Sequence, residues 1–306
     1  MNIVRAEDYH VPVMLQECLE GMQLRPEGCY VDVTFGGGGH SRAILKELQG
    51  AGMLYSFDQD PDAAARAPQQ PCFTFIASNF RHLARFMDYY DRLGQVDAIL
   101  ADLGVSSHHF DAMERGFSFR DETPLLDMRM NNRAGLSARD LLNSYEEEQL
   151  ADVLYRYGEL KQSRSLAKLI VKARSIAPLQ TVGDLIAALR PALRPDQEKK
   201  LLACIFQALR IEVNGELKAL EELLEASLHV LRPGGRLVVM TYHSLEDRIV
   251  KNFLKGTDDS AEAQIYGTAR SAWRLITRKP LVASAEELER NPRSRSAKLR
   301  IAERIR

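Results

Sequence analysis

Residues 30–41 read YVDVTFGGGGHS, and this stretch decides the fold. Tyr30–Phe35 is an apolar run with strand character. It enters Gly36-Gly37-Gly38-Gly39 directly, and a helical pattern follows with Ile44, Leu45 and Leu48 on one face. Strand, glycine turn and helix form the opening of a βαβ unit. Four consecutive glycines are costly in conformational entropy unless the chain must turn tightly or lie against a ligand. Their spacing is not G-x-G-x-x-G, which weakens a nicotinamide reading.

Outward from this unit the same alternation continues. Met53–Phe57 is a second strand ending at Asp58, and Asp60-Pro61 opens a helix with proline at its favoured first position. Phe73–Ile76 is a third strand, after which Asn79 caps a helix carrying Leu83, Phe86 and Met87. Val96–Ala101 is a fourth strand, ending at Asp102. Strands alternating with helices predict a parallel sheet.

The alternation stops between residues 110 and about 210, where helix signals replace strand signals. Ser137 with Asp140 and Thr181 with Asp184 are S/T-x-x-D starts. Leu166, Leu169, Ile170 and Ala173 recur at helical spacing, as do Leu201, Leu202, Ile205, Phe206 and Leu209. The α/β pattern then resumes. A leucine-rich helix (Leu217–Leu231) stops at Pro233-Gly234-Gly235, and Arg236–Thr241 is a fifth strand. Leu245–Leu254 is helical, and Trp273–Thr277 with Ala297–Ala302 form a final antiparallel pair. The expected organisation is a discontinuous α/β domain (1–108 and 211–306) holding a helical insertion (109–210) for substrate recognition.

In open parallel sheets ligands bind beyond the carboxyl ends of the strands. Asp58 lies at such an end, 22 residues after Gly36, where an acid binds ribose hydroxyls. Asp60 is the better helix cap, which leaves Asp58 for a ligand. Asp102, at the end of the fourth strand, can accept a hydrogen bond from an amino group. His108 and His109 follow it in an exposed-loop pattern. Phe117 and Phe119, with Arg115 and Arg120, are either a base-stacking clamp or core aromatics anchoring the insertion. Tyr242 and His243 reach the active-site edge after the fifth strand, with Ser244 and Asp247 reading as an S-x-x-D cap. A Ser/His/Asp triad in this run is rejected, because adjacent positions point apart and there is no G-x-S-x-G elbow.

The 306 residues suggest about two domains, and 45% hydrophobic with 27% charged residues exclude collagen-like and disordered classes. A net charge of −1 conceals an asymmetry: residues 270–306 hold 11 basic and four acidic residues, a net +7. That predicts an anionic partner, with Arg293, Arg295, Lys298 and Arg300 as candidate phosphate contacts. Cys18, Cys29, Cys72 and Cys204 form no C-x-x-C pair, so no metal site or disulfide framework is expected and the thiols read as buried in a reducing compartment. No apolar run approaches a membrane span and the polar start lacks a signal-peptide core, so a cytoplasmic location is expected.

These segments together resemble the bacterial 16S rRNA cytosine-N4 methyltransferases, the RsmH/MraW family. The resemblance is carried by Tyr9–Val13, Asp32–Ser41, Asp58–Pro61, Asp102–Ser107 and Arg115–Phe119. It continues through Leu126–Met130, Tyr157–Glu159, Phe206–Asn214, His243–Lys251 and Asn291–Arg300, in family order. It implies an α/β class I (Rossmann-like) methyltransferase sheet with an inserted all-helical domain, and S-adenosyl-L-methionine as cofactor. It implies methylation of a cytosine in the decoding region of 16S rRNA, free or within the small ribosomal subunit, and allows a homodimer. The implied cofactor positions are Gly38, Gly39, His40, Asp58, Phe80 and Asp102, and Gly36 joins them from the glycine run itself. His109 stands where the family commonly has glutamine, and Thr241-Tyr242 where Ser-Phe is usual.

Cytosine N4 is a poor nucleophile, because its lone pair conjugates with the ring. Asp102, with the Leu103 carbonyl as second candidate, is expected to accept a hydrogen bond from the amino group and draw that lone pair out. Phe117, Phe119 or Tyr242 could stack on the flipped base. Two other readings stay open at this point: a methyltransferase of proteins or small molecules, and an RNA-binding factor retaining the cofactor as a structural ligand.

Overall fold

A computed structural model describes residues 12–104, 115–133, 135–256 and 271–305. Contacts divide the chain into two compact units, residues 1–104 with 217–306, and residues 105–216.

The first unit is built on a seven-stranded sheet in the order β3-β2-β1-β4-β5-β7-β6. The strands are β1 (Cys29–Asp32), β2 (Met53–Asp58), β3 (Phe73–Ala77), β4 (Val96–Asp102), β5 (Leu231–Thr241), β6 (Trp273–Leu275) and β7 (Lys298–Arg304). β1 to β5 pair in parallel, and β7 runs antiparallel between β5 and β6. This is the sheet of a class I, Rossmann-like methyltransferase, with the expected antiparallel final pair. Both faces are covered, so the strands are apolar on both sides rather than alternating. On β1, Tyr30 packs with Ile44, Leu48 and Leu54, while Val31 packs on the opposite face with Leu220, Leu223 and Phe57.

The chain runs β1, β2, β3 outward in one direction and returns on the far side of β1 as β4. The strand order therefore reverses between β1 and β4, and a crevice opens at their carboxyl ends. Asp32 pairs in register with Leu100, so Asp102 extends two residues beyond the end of β1. β1 itself stops at Asp32 rather than Phe35, because the Asp32 carboxylate turns back to accept from the Thr34 amide at 3.0 Å. The helix at Leu15–Met22, which the sequence pattern did not reveal, buries Cys18, Gly21 and Met22.

Two boundaries differ from expectation for physical reasons. Pro233-Gly234-Gly235 does not precede β5 but lies inside it, with Gly234 at φ 77° and an irregularity opposite Val96 and Ala98. Leu231 already pairs with Val96, so pairing begins before the turn. The helix after β5 spans Ser244–Lys255 and is capped by His243 with Glu246, not by Ser244 with Asp247. Buried Glu246 accepts the Tyr242 amide at 2.9 Å, while Asp247 is held by Arg300 of β7 at 2.7 and 3.1 Å. A charge-assisted pair to β7 outcompetes a local cap for the same carboxylate.

In the second unit the described residues form helices Ala138–Ser144, Glu147–Gly158, Ser163–Arg174, Val182–Leu189 and Glu198–Asn214. Among them the β-structure is one isolated bridge, Leu125 with Thr181. Ser137 with Asp140 and Thr181 with Asp184 close full capping boxes, as their spacing predicts. Leu166, Ile170, Leu201, Leu202, Ile205, Phe206 and Leu209 share one core.

Candidate functional site

The site is assembled from residues that end strands or turn immediately after them. After β1 the chain is tied sideways to β2: the Phe35 amide donates to the Phe57 carbonyl, and the Gly36 amide to Asp58 Oδ2 at 2.7 Å. Asp58 Oδ1 accepts the Asp60 amide at 2.8 Å. Two amides, one on each oxygen, thus fix the plane of the Asp58 carboxylate. Asp60 caps the short helix Pro61–Ala64, the division of labour expected between the two acids. Gly38 caps helix Gly39–Leu48 at φ 77°, and a Cβ there would lie 2.6 Å from the Phe35 ring. At Gly39 a Cβ would lie 2.4 Å from Pro12. Glycine is therefore required here by the packing of the loop itself, and the result is a helix amino terminus, with the first amides lacking intrahelical partners, immediately after the end of β1.

Beneath the loop runs a buried polar chain. Asp32 Oδ2 accepts from Ser41 Oγ at 2.6 Å, and Ser41 meets Ser56 at 2.8 Å. Thr34 Oγ1 lies 3.3 Å from Asp32 Oδ1 and accepts the amide of Asp102 at 2.8 Å. Thr34 thereby locks the end of β4 to the end of β1. The buried His40 ring sets Nε2 3.1 Å from the Val13 carbonyl and Nδ1 3.7 Å from Asp102 Oδ2. Tyr242, following β5, donates its hydroxyl to Asp102 Oδ1 at 2.7 Å.

Burial pushes the Asp102 carboxyl up to about 6, with Asp32 and Glu246 adding to the rise, while His40 and the Tyr242 hydrogen bond oppose it. The same surroundings hold the Tyr242 phenol well above its ordinary range, burial first and Asp102 second, so it remains a donor. Burial and the neighbouring Asp102 likewise raise the Cys18 thiol. A carboxylate has about four acceptor positions. Tyr242 takes one on Oδ1, and 3.7 Å from His40 is too long for a hydrogen bond on Oδ2. Asp102 can therefore still accept from an amino group.

The sequence-predicted residues thus separate into three groups. Gly36, Gly38, Gly39, His40, Asp58, Asp102 and Tyr242 surround one crevice, with Phe80 opening the turn beyond β3 that Asn79 caps. Leu103 follows Asp102, its amide held by the Met240 carbonyl. His243 does not join them as a reacting group. Its Nε2 makes a 3.1 Å electrostatic contact with Glu246 Oε1, and the residue serves as the helix cap.

The second group is structural. Arg115 donates to the carbonyls of Arg129 and Met130 at 2.6 and 2.7 Å and lies over the Phe117 ring. Phe117 is 6% exposed and Phe119 packs edge-on against Phe206. Core packing of the second unit, rather than a base clamp, accounts for all three. Arg300 is 8% exposed and, with Lys298 at 3.7 Å, neutralises Asp247. Arg293 and Arg295 are exposed on the turn Pro292–Ser296. The third group, His108 and His109 with the second half of the Asp102–Ser107 motif and the start of Tyr9–Val13, lies outside the described residues, as does the expected boundary at 108/109.

No sequence signal marks the Val13 carbonyl behind His40 or the Thr34 bridge, since each meets its partner only in the folded sheet. The Glu246 cap is local, but its box begins at His243 rather than at a Ser or Thr, so the usual sequence pattern does not show it. A reversal of strand order between β1 and β4, a glycine turn onto a helix, and acids at the ends of β2 and β4 are the features of a nucleoside-binding crevice in a class I methyltransferase sheet. The chain belongs to the MraW methylase family, whose model matches residues 7–305. It is 64% identical over 303 residues to "Ribosomal RNA small subunit methyltransferase H" of Porphyromonas gingivalis strain ATCC 33277, covering 97% of both chains. Proteins of the same name from Parabacteroides distasonis (60% identical, 97% and 98% covered) and Bacteroides thetaiotaomicron (57%, 97% of both) are similar along the same length. The cofactor is S-adenosyl-L-methionine, as expected from the sequence.

Proposed function

We propose that this protein methylates the N4 amino group of a cytosine in the decoding region of small-subunit ribosomal RNA, within the subunit or as free RNA. Its similarity to proteins named ribosomal RNA small subunit methyltransferase supports the substrate class. The observation that carries the chemistry is Asp102, a half-buried acid with one oxygen held by Tyr242 and the other open to accept.

S-adenosyl-L-methionine supplies an electrophilic methyl group. Gly36, Gly38, Gly39 and the helix they open would lie along it, with Asp58 on its ribose hydroxyls and Phe80 beside its base. Asp102 accepts a hydrogen bond from the cytosine amino group. This draws the nitrogen lone pair away from the ring and fixes the direction in which it points. Tyr242 occupies Oδ1, so Oδ2 is left as the acceptor. With its carboxyl at about 6, Asp102 is roughly nine-tenths ionised at pH 7. It is then also basic enough to receive the proton that N4 sheds once methylated. Arg293 and Arg295 are the remaining candidates for phosphate contact at this edge, and the helical second unit is the candidate for substrate recognition.

The test is transfer of tritiated methyl groups into small ribosomal subunits, free rRNA and protein, followed by nucleoside analysis. N4-methylcytidine is expected as the labelled nucleoside. Label in protein, or in another nucleoside, would overturn the assignment.

A further inference from the structure

The helix Ser244–Lys255 and the segment after β6 enclose a cleft of about 230 Å³ whose lining contains five cations and no carboxylate. Lys251 and Lys255 come from the helix, one turn apart, and Arg278 and Lys279 come from the segment. Arg300 closes the floor and is already paired with Asp247 of the same helix, which Lys251 also faces. Among the described residues, Lys255, Arg278 and Lys279 have no ion-pair partner. Like charges gathered around a concave surface repel each other and raise the local concentration of anions.

The position of the cleft says which anion. Asp102 pairs in register with Met240, Met240 with Leu299, and Leu299 with Leu281. Asp102 and Leu281 therefore stand in one row across the sheet, and residues 277–280 climb to that row. Three strand spacings separate them, about 14 Å. The cleft also reaches down to Leu275, which stands level with Ile99, so it begins about 14 Å from Asp102 and extends beyond that. At about 3.4 Å per stacked nucleotide it lies about four to five nucleotides from the reacting base. A row of cations matches a backbone that presents one charge at every nucleotide better than it matches a single carboxylate.

We propose that this cleft is a phosphate subsite that holds the backbone of the RNA strand about four to five nucleotides from the methylated cytosine. The proposal rests on the RNA-methylation reading above. It adds Lys251 and Lys255 to the substrate contacts, and within the basic 270–306 segment it selects Arg278 and Lys279.

The experiment compares the wild-type chain with Arg278→Glu/Lys279→Glu and with the milder Arg278→Gln/Lys279→Gln. Two RNAs are used, a long rRNA fragment and an oligonucleotide with two nucleotides on each side of the target. On the long RNA the charge reversal should raise KM on the order of tenfold with kcat unchanged. The slope of log Kd against log salt should become shallower by one to two, about one per lost phosphate contact. The glutamine variant should fall between, the short RNA should show no difference, and calorimetric affinity for S-adenosyl-L-methionine should stay at the wild-type value. An unchanged KM and salt slope on the long RNA overturns the subsite, as does an equal loss on both RNAs. If the wild-type chain methylates no RNA, the parent reading fails, and that result is separate from a wild-type enzyme that methylates RNA while the variants match it.

Discussion

Replacing Tyr242 with phenylalanine removes one hydroxyl and almost no volume. The lost group is the 2.7 Å donor to Asp102 Oδ1, one of the two influences that hold the Asp102 carboxyl down against burial. A hydrogen bond to a charged group contributes about 1.5–3 kcal/mol, and one pKa unit corresponds to 1.36 kcal/mol. The Asp102 side chain is 23% exposed, so water partly replaces the phenol and the lower figure applies. The Asp102 carboxyl should therefore rise from about 6 by roughly one unit. At pH 7 its ionised fraction falls from about nine-tenths to about one half, so transfer slows roughly twofold; at pH 6 the loss is about fivefold, and at pH 9 it vanishes. The assay is kcat/KM for methyl transfer measured from pH 5.5 to 9.5. An acid limb displaced upward by about one unit, with a wild-type plateau, is expected. A limb that stays in place would show that Tyr242 does not govern Asp102 and would refute the assigned hydrogen bond.

Asp102→Asn should abolish methyl transfer yet stabilise the fold. The folded carboxyl ionises near 6 and the unfolded one near 4, so ionisation costs the folded state as pH rises through that window. The variant should gain up to about 2–3 kcal/mol at pH 7 and little below pH 4, read by urea denaturation at both values. A gain that is equal at both pH values would contradict the buried-charge argument. Asp58→Ala should weaken S-adenosyl-L-methionine binding by tenfold or more in calorimetry, and unchanged affinity would remove Asp58 from the cofactor site. Arg300→Met should destabilise the chain by about 2 kcal/mol, because partly buried Asp247 loses both Arg300 hydrogen bonds and keeps only the longer contact with Lys298, while the salt slope of RNA binding stays as it was. A shallower slope with intact stability would return Arg300 to the RNA contacts.

The local determinants were legible in the sequence because they act over three or four residues. The caps at Asp60, Ser137 and Thr181 form as their spacing predicts. The strand ends at Asp58 and Asp102 also stand where apolar runs meet an acid. The same S-x-x-D pattern fails at Ser244, because Asp247 has a stronger partner in Arg300, 53 residues away. Phe117 and Phe119 read equally well as clamp or core, and only Phe206 and the carbonyls around Arg115 decide for core.

The sequence by itself determined the βα alternation, the glycine turn, the two strand-end acids and, through its motifs, the family. Those are properties of neighbouring residues and of the order in which they come. Only the tertiary structure decided that Tyr242 reaches Asp102 across 140 residues, that His40 is backed by Val13, and that Lys255 and Lys279 share a cleft. The reason is the strand order: placing β5 beside β4 and β7 beside β5 brings together groups that no local periodicity connects, and burial there, not residue type, sets the acidity of Asp102.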